Sequence, residues 1–411
     1  MAFIIKNARF LGFGVALAFL SSFGQTYFIG VYKTAITSEF QLSNSDFGLY
    51  YLLITLVSAV GLNQLGHIID RVRLVPYVAV LIVAMAAACL LVFLSGTLWF
   101  LVIALMLVRL LGQGLLTHAS MTSMSRYYSK NRGLAVAVAG LGFPLGQAVL
   151  PLVAVLLMGS FAWRGSWLMF AGALMLVALP FVAWLLKGQQ SRHDAWQKEQ
   201  TADQHQPQTQ SQEHLRRRDV LVDLRFYLML PALIAGPFWI TAVFFFPGEI
   251  AAFKGMKIVD FTAFYGFYAL GSIAAPFLGG LLVDRYGGRH LMPLYPPFFA
   301  LALIVILPES GAVGVALLMI FLGLGAGITL PINNATWAEL YGTRHLGEIK
   351  SLSTSIVVVS TALSPFIIGL TLESGYTLTS VMVVGAATCI IAAVLVLPVA
   401  LQGVNSPLSR K

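Results

Sequence analysis

The sequence predicts an all-α polytopic membrane protein, with twelve transmembrane helices arranged as two parallel-repeat six-helix bundles. Three observations carry this. The 411 residues are 58% hydrophobic and only 10% charged, against about 25% charged in a soluble domain. The apolar residues gather into stretches close to the roughly 20 residues that a helix needs to cross a bilayer. The second half of the chain then repeats features of the first at a constant offset of 214 residues. So few charges cannot cover a water-soluble protein of this size.

The spans fall at about 10–32, 47–67, 75–95, 98–124, 133–158 and 165–186, then 225–248, 261–283, 291–307, 311–337, 349–371 and 376–400, numbered 1 to 12 in that order. Short connections such as Asp70-Arg71-Val72-Arg73 force neighbouring spans to run antiparallel. Span 1 begins within ten residues of Met1, but it is longer than a signal-peptide core and eleven spans follow, so it reads as a helix. Cys89 and Cys389 lie in apolar stretches and imply no disulfide framework.

With a cytoplasmic N-terminus, twenty of the 25 Lys and Arg fall on the inside. Only Lys33, Arg164, Lys254 and Lys257 fall outside, and Arg109 is left within span 4. That asymmetry places both termini in the cytoplasm, with the bacterial inner membrane as the expected location. The net charge of +9 therefore records topology, and nucleic acid is not an expected partner. Residues 188–224 are polar, glutamine-rich and unable to bury a core of their own. They read as a cytoplasmic linker between a bundle at 1–187 and a second at 225–411, with the Arg216–Arg218 cluster anchoring topology or resting on lipid headgroups.

The repeat is specific. Asp46-Phe47 corresponds to Asp260-Phe261, Tyr51 to Tyr265, Gly66 to Gly280, Asp70-Arg71 to Asp284-Arg285, Gly133 to Gly347 and Pro151 to Pro365. Six spans per half give both halves the same orientation, a parallel repeat about the membrane normal. Two such bundles facing each other predict transport by alternating access.

The loop after span 2 reads Gly66-His67-Ile68-Ile69-Asp70-Arg71-Val72-Arg73. The loop after span 8 reads Gly280-Leu281-Leu282-Val283-Asp284-Arg285-Tyr286-Gly287-Gly288-Arg289. These paired signatures, the six-plus-six count and the central linker resemble the major facilitator superfamily over nearly the whole chain. The first copy lacks the later glycine. Arg109-x-x-Gly112-x-Gly114, Lys130-Asn131-Arg132-Gly133-Leu134-Ala135 and Gly140-x-Gly142-x-x-x-Gly146 resemble its monocarboxylate and oxalate/formate porter branch. The charged residues which that branch carries deep in helices 1, 8 or 11 have no counterpart here. The resemblance implies a cytoplasmic latch at the Asp-Arg turns. Physically, a carboxylate there can accept from free N–H groups at a helix start, and the starts of spans 5 and 11 are the candidates.

Arg109 lies ten residues after Trp99, about 15 Å into a core of about 30 Å. An arginine there costs about 2.5–3.5 kcal/mol on insertion scales and should face a cavity or a partner. Gln113 and Thr117 follow at i+4 spacing, then Ser120. The stripe reads as an anion-binding or coupling site on the central pathway, or as a structural arginine bonded to carbonyls of helix 1 or 5. His118, about 180° away, is a coupling candidate or a packing histidine. None of the sixteen acids lies at mid-membrane, which suits an anionic or neutral solute better than a cation. Further candidates for the solute site are Gln25, Tyr32, Gln147, Trp239, Tyr265, Tyr268, Asn333 and Asn334.

No phosphate-binding loop, metal-ligand spacing or nucleophile–base pair appears, so neither an enzyme nor a cofactor is expected. The expectation is a secondary transporter of a small organic anion, coupled to protons or working by exchange, functional as a monomer among membrane lipids. Efflux of drug-like or amphiphilic metabolites is the first alternative. A transporter-like solute sensor is the second, for which the linker and the tail from Val404 look too small.

Overall fold

A computed structural model of the chain describes residues 2–128, 131–188, 217–308, 311–342 and 346–401. Among the described residues every regular element is helical. The expected linker falls mostly outside them, as do Lys130, Arg216 and Arg344.

The chain divides into two compact units, Met1–Phe40 with Leu53–Thr209, and Gln41–Leu52 with Gln210–Lys411. Among the described residues nine helices are long and apolar enough to cross a membrane. Three local features account for the remaining spans. Span 1 is broken, Ala8–Gly24 meeting Thr26–Phe40 at a bend of 49°. Spans 5 and 6 run together as Arg132–Leu186, but Ala162 turns the chain between them with φ 55° and ψ 171°. Span 9 is assembled from Gly288–Leu291, Met292–Leu294 and Pro296–Val305, because Pro293, Pro296 and Pro297 interrupt the hydrogen-bond ladder. The architecture is therefore the twelve-helix one.

The repeat extends to element boundaries. Span 5 begins at Arg132 and span 11 at Leu346, again 214 residues apart. Pro151 and Pro365 lie inside helices at equivalent positions. In the first unit, span 5 packs on span 1 through Gly142 and Gly146. A Cβ at either would collide with span 1, at Val15 and Ala18 or at Ser22. In the second unit, spans 8 and 10 pack backbone to backbone. A Cβ on Gly271 would lie 2.9 Å from the Leu324 nitrogen, and one on Gly323 would strike the Tyr268 carbonyl. Small residues permit such approaches, which drive helix association where lipid offers no hydrophobic force.

Charges assigned to loops carry structure. Arg164, beside the Ala162 turn, pairs with Glu39, donates to the Ser95 carbonyl and stacks on Trp163, with its guanidinium 4.4 Å from the ring centroid. Lys33 was expected in an outside loop but is only 1% exposed, at the start of the Lys33–Phe40 helix. The last residues of the expected linker belong to the second unit. Arg217–Leu221 is helical, Val220 is buried, and Asp223 caps Leu224–Phe245 while pairing with buried Arg225 at 2.8 Å.

Candidate functional site

In the first unit the break in span 1 and a bulge in span 4 meet. Span 4 is α-helical over Leu98–Arg109, π-helical over Leu110–Leu116 and α-helical again from Thr117. Span 1 ends its first segment in the tight turn Ser21–Gly24, and Gln25 is extended at φ −85° and ψ 153°. The backbones touch at this level. A Cβ on Gly112 would lie 2.5 Å from the Gly24 nitrogen, and one on Gly24 would lie 2.5 Å from the Gln113 nitrogen.

The break stops the helix ladder at Gly24, and Arg109, 2% exposed, donates from Nη1 to the Gly24 carbonyl at 3.1 Å. A charge-assisted hydrogen bond is a strong partner for such a carbonyl. Gln25 and Gln113 are half-buried at the same level. Further along the stripe Ser120 also turns to span 1, its Oγ donating to the Gly14 carbonyl at 2.7 Å, whereas the Thr117 hydroxyl is buried with no hydrogen-bond partner among the described residues. His118 lies across the helix, 3.5 Å from Thr122 Oγ1 and beside Gly66 of the loop signature.

Other candidates lie within packed cores. Tyr32 is fully buried, shares a hydrogen bond with Ser166 at 2.9 Å and packs on Phe28 and Trp167. Gln147 is buried in span 5. In the second unit Tyr265 and Tyr268 both meet the edge of Phe244, at 4.8 and 5.0 Å. Asn333 faces the buried Tyr295 hydroxyl, whereas its neighbour Asn334 is exposed. Trp239 donates from Nε1 to Thr388 Oγ1 at 3.1 Å, its ring lying over Gly385. The structure thus gathers Arg109, Gln113 and Gln25 at one level and leaves the remaining candidates dispersed.

The two loop signatures are held differently. Arg126 pairs with Asp70 and donates to the Ile69 carbonyl at 3.0 Å, closing the first turn within its own unit. In the second copy Glu339 accepts from the Gly288 and Arg289 N–H groups at 2.5 and 3.1 Å. Gly287, at φ 79°, makes that capped turn possible. The first copy has Arg73 at this position, with φ −65°, and cannot form it. Sequence reading missed Arg126, Tyr295 and Thr388. Only Thr388, a lone hydroxyl on an apolar face, carried a local signal.

Fold, repeat and buried intramembrane charge together define a multi-pass helical membrane transporter. The chain matches the Major Facilitator Superfamily over residues 14–356 and 255–409 and belongs to it. No curated relative matches by sequence. Among solved structures it is similar to a bacterial homologue of the human lysosomal transporter Spinster. In the inward-facing, unoccupied conformation the TM-score is 0.62 at 14% identity, covering 95% of each chain. In the inward-facing, occupied conformation it is 0.59 at 15% identity, covering 94% of each. At that identity the likeness concerns the fold.

Proposed function

We propose that the protein is a secondary active transporter of the bacterial inner membrane that moves a small organic anion by alternating access, driven by proton symport or by exchange. Both termini are cytoplasmic in this reading, and the unit of function is the single chain. Arg109 is the observation that carries it. A guanidinium keeps its charge when buried, and this one stands at the level where span 1 is broken and span 4 bulges. Unwound segments within a transporter helix suit solute binding, because they free backbone groups that a solute can engage. Gln25 and Gln113 supply amide donors at the same depth. The pattern around Arg109, Arg132 and Gly142 resembles monocarboxylate porters, which favours a carboxylate.

The test is counterflow of labelled mono- and dicarboxylates in proteoliposomes. Arg109→Lys keeps a cation and one donor for Gly24 but loses the bidentate fork. The expected result is a KM raised at least tenfold with the fold intact, and a lesser rise for Gln113→Ala. Saturable carboxylate flux with an unchanged KM in Arg109→Lys would refute the assignment, as would the lack of any carboxylate flux in the wild type.

A further inference from the structure

The second unit holds a cavity of about 510 Å³ between spans 7, 11 and 12. Its walls are Phe238, Trp239, Ile367, Val381 and Val384, and the buried Trp239 indole, held by exposed Thr388, forms its floor. None of its lining residues is charged, so it is unsuited to the anion assigned to Arg109. We infer that this cavity binds one acyl chain of an outer-leaflet membrane lipid, entering from the side.

Four observations select that occupant. The rim is formed by Ile367 and Val384, 43% and 59% exposed on helices that cross the membrane, where exposed apolar side chains meet hydrocarbon. Three of the four polar lining residues gather at one end, and the hydroxyl of the fourth, exposed Thr388, is engaged by Trp239 and the Gly385 carbonyl. Thr371, Tyr376 and Ser380 lie where span 11 finishes and span 12 starts, on the outer side given cytoplasmic termini. The pocket is elongated, since Ser380 to Thr388 is about two turns or 12 Å along span 12. Its volume falls within the roughly 300–1,000 Å³ of small-molecule sites. A chain buried between apolar walls, with its head group beside the hydroxyls, satisfies all four. The outer-side assignment rests on the proposed topology, whereas the occupancy does not.

The indole of Trp239 closes the depth of this pocket and is only 7% exposed, so it reports entry of a chain. The full-length protein is placed in nanodiscs of phosphatidylcholine carrying bromine at mid-chain. Emission of Trp239 is taken as the difference between wild type and Trp239→Phe. Brominated lipid is expected to quench that emission by at least half. Val384→Phe fills the mouth and is expected to reduce the quenching severalfold. Val394→Phe, equally exposed but lower on the same helix, leaves it unchanged. The inference is overturned if Trp239 is not quenched or if Val384→Phe has no effect. Relief of quenching by saturating carboxylate would reassign the pocket to the transported solute. Relief on loading two protein copies per disc would reassign it to a second copy of this chain. Because the readout is fluorescence, failure of the carboxylate assignment leaves this test intact.

Discussion

Gly112→Ala tests the meeting of spans 1 and 4 directly. The added methyl would lie 2.5 Å from the Gly24 nitrogen, 2.8 Å from its Cα and 3.0 Å from the Ser21 carbonyl oxygen. Carbon contacts are at ease near 3.5–4.0 Å, so the backbones must part by about 1 Å. The Arg109–Gly24 hydrogen bond at 3.1 Å would then exceed bonding distance. Overpacking costs about 1–3 kcal/mol. Losing a hydrogen bond to a charged group costs about 1.5–3 kcal/mol. The intrinsic helix preference of Ala over Gly returns about 1 kcal/mol. The net is about 2–5 kcal/mol, or a melting temperature lower by about 5–15 °C for a unit of this size. The two free cysteines offer a unit-specific assay, since Cys89 is buried in the first unit and Cys389 in the second. In a Cys389→Ala background, labelling of Cys89 by a thiol-reactive dye on heating reports the first unit. Gly140→Ala is the control, because its methyl meets nothing within 4 Å. Equal melting of the two glycine variants would refute the contact and the geometry built on it.

The other predictions use the same readouts. Glu339→Ala removes the acceptor for the Gly288 and Arg289 N–H groups and should cost about 0.5–2 kcal/mol, read through Cys389 in a Cys89→Ala background. Asp70→Ala should cost less, because the Asp70 side chain is 61% exposed and exposed ion pairs contribute about 0–1 kcal/mol; the reverse order would contradict the different bracing of the two turns. Ala162 holds a backbone conformation natural only to glycine, so Ala162→Gly should raise the Cys89 transition by an amount equivalent to about 1–3 kcal/mol. Thr388→Val keeps the shape but leaves the Trp239 N–H without its acceptor, and should lower the Cys389 transition by about 1–3 kcal/mol.

Much of this architecture is legible because the bilayer dictates it. The gap between spans 5 and 6, expected at 159–164, contains the Ala162 turn. The 214-residue offset recovers the starts of spans 5 and 11. What hydropathy cannot show is helix quality inside a span. At Gly24-Gln25 no proline marks a break, and the polar run Ser21, Ser22, Gln25 and Thr26 around Gly24 was a signal that hydropathy averaging passed over. The π-helical stretch in span 4 has no proline to mark it either, whereas the 11-residue spacing of Arg109 and Ser120, both bonded to span 1, is legible as one helix face. A carbonyl of span 1 was among the partners expected for Arg109; that it would be Gly24 was not readable, because the break sets which carbonyl is freed. Trp239 was singled out as an intramembrane aromatic, but the hydroxyl that fixes it lies 149 residues away.

The repeat also bears on whether Arg109 is needed by the fold. Its equivalent at the 214-residue offset is Gly323, which must be small because span 8 crosses at the Tyr268 carbonyl. Gln25 likewise corresponds to Trp239. One blueprint thus accepts a cation and an amide in one half and a glycine and an indole in the other. The second half closes with glycine at this position, and its buried Asp223–Arg225 pair sits at the start of span 7. In the half whose first span is broken, the arginine offsets part of a desolvation cost of about 2.5–3.5 kcal/mol through its bond to the Gly24 carbonyl. The Arg109→Lys transport test separates that structural role from the proposed solute role. Of the two equivalent positions in the second half, Gly323 serves helix packing and Trp239 lines the apolar cavity proposed for an acyl chain.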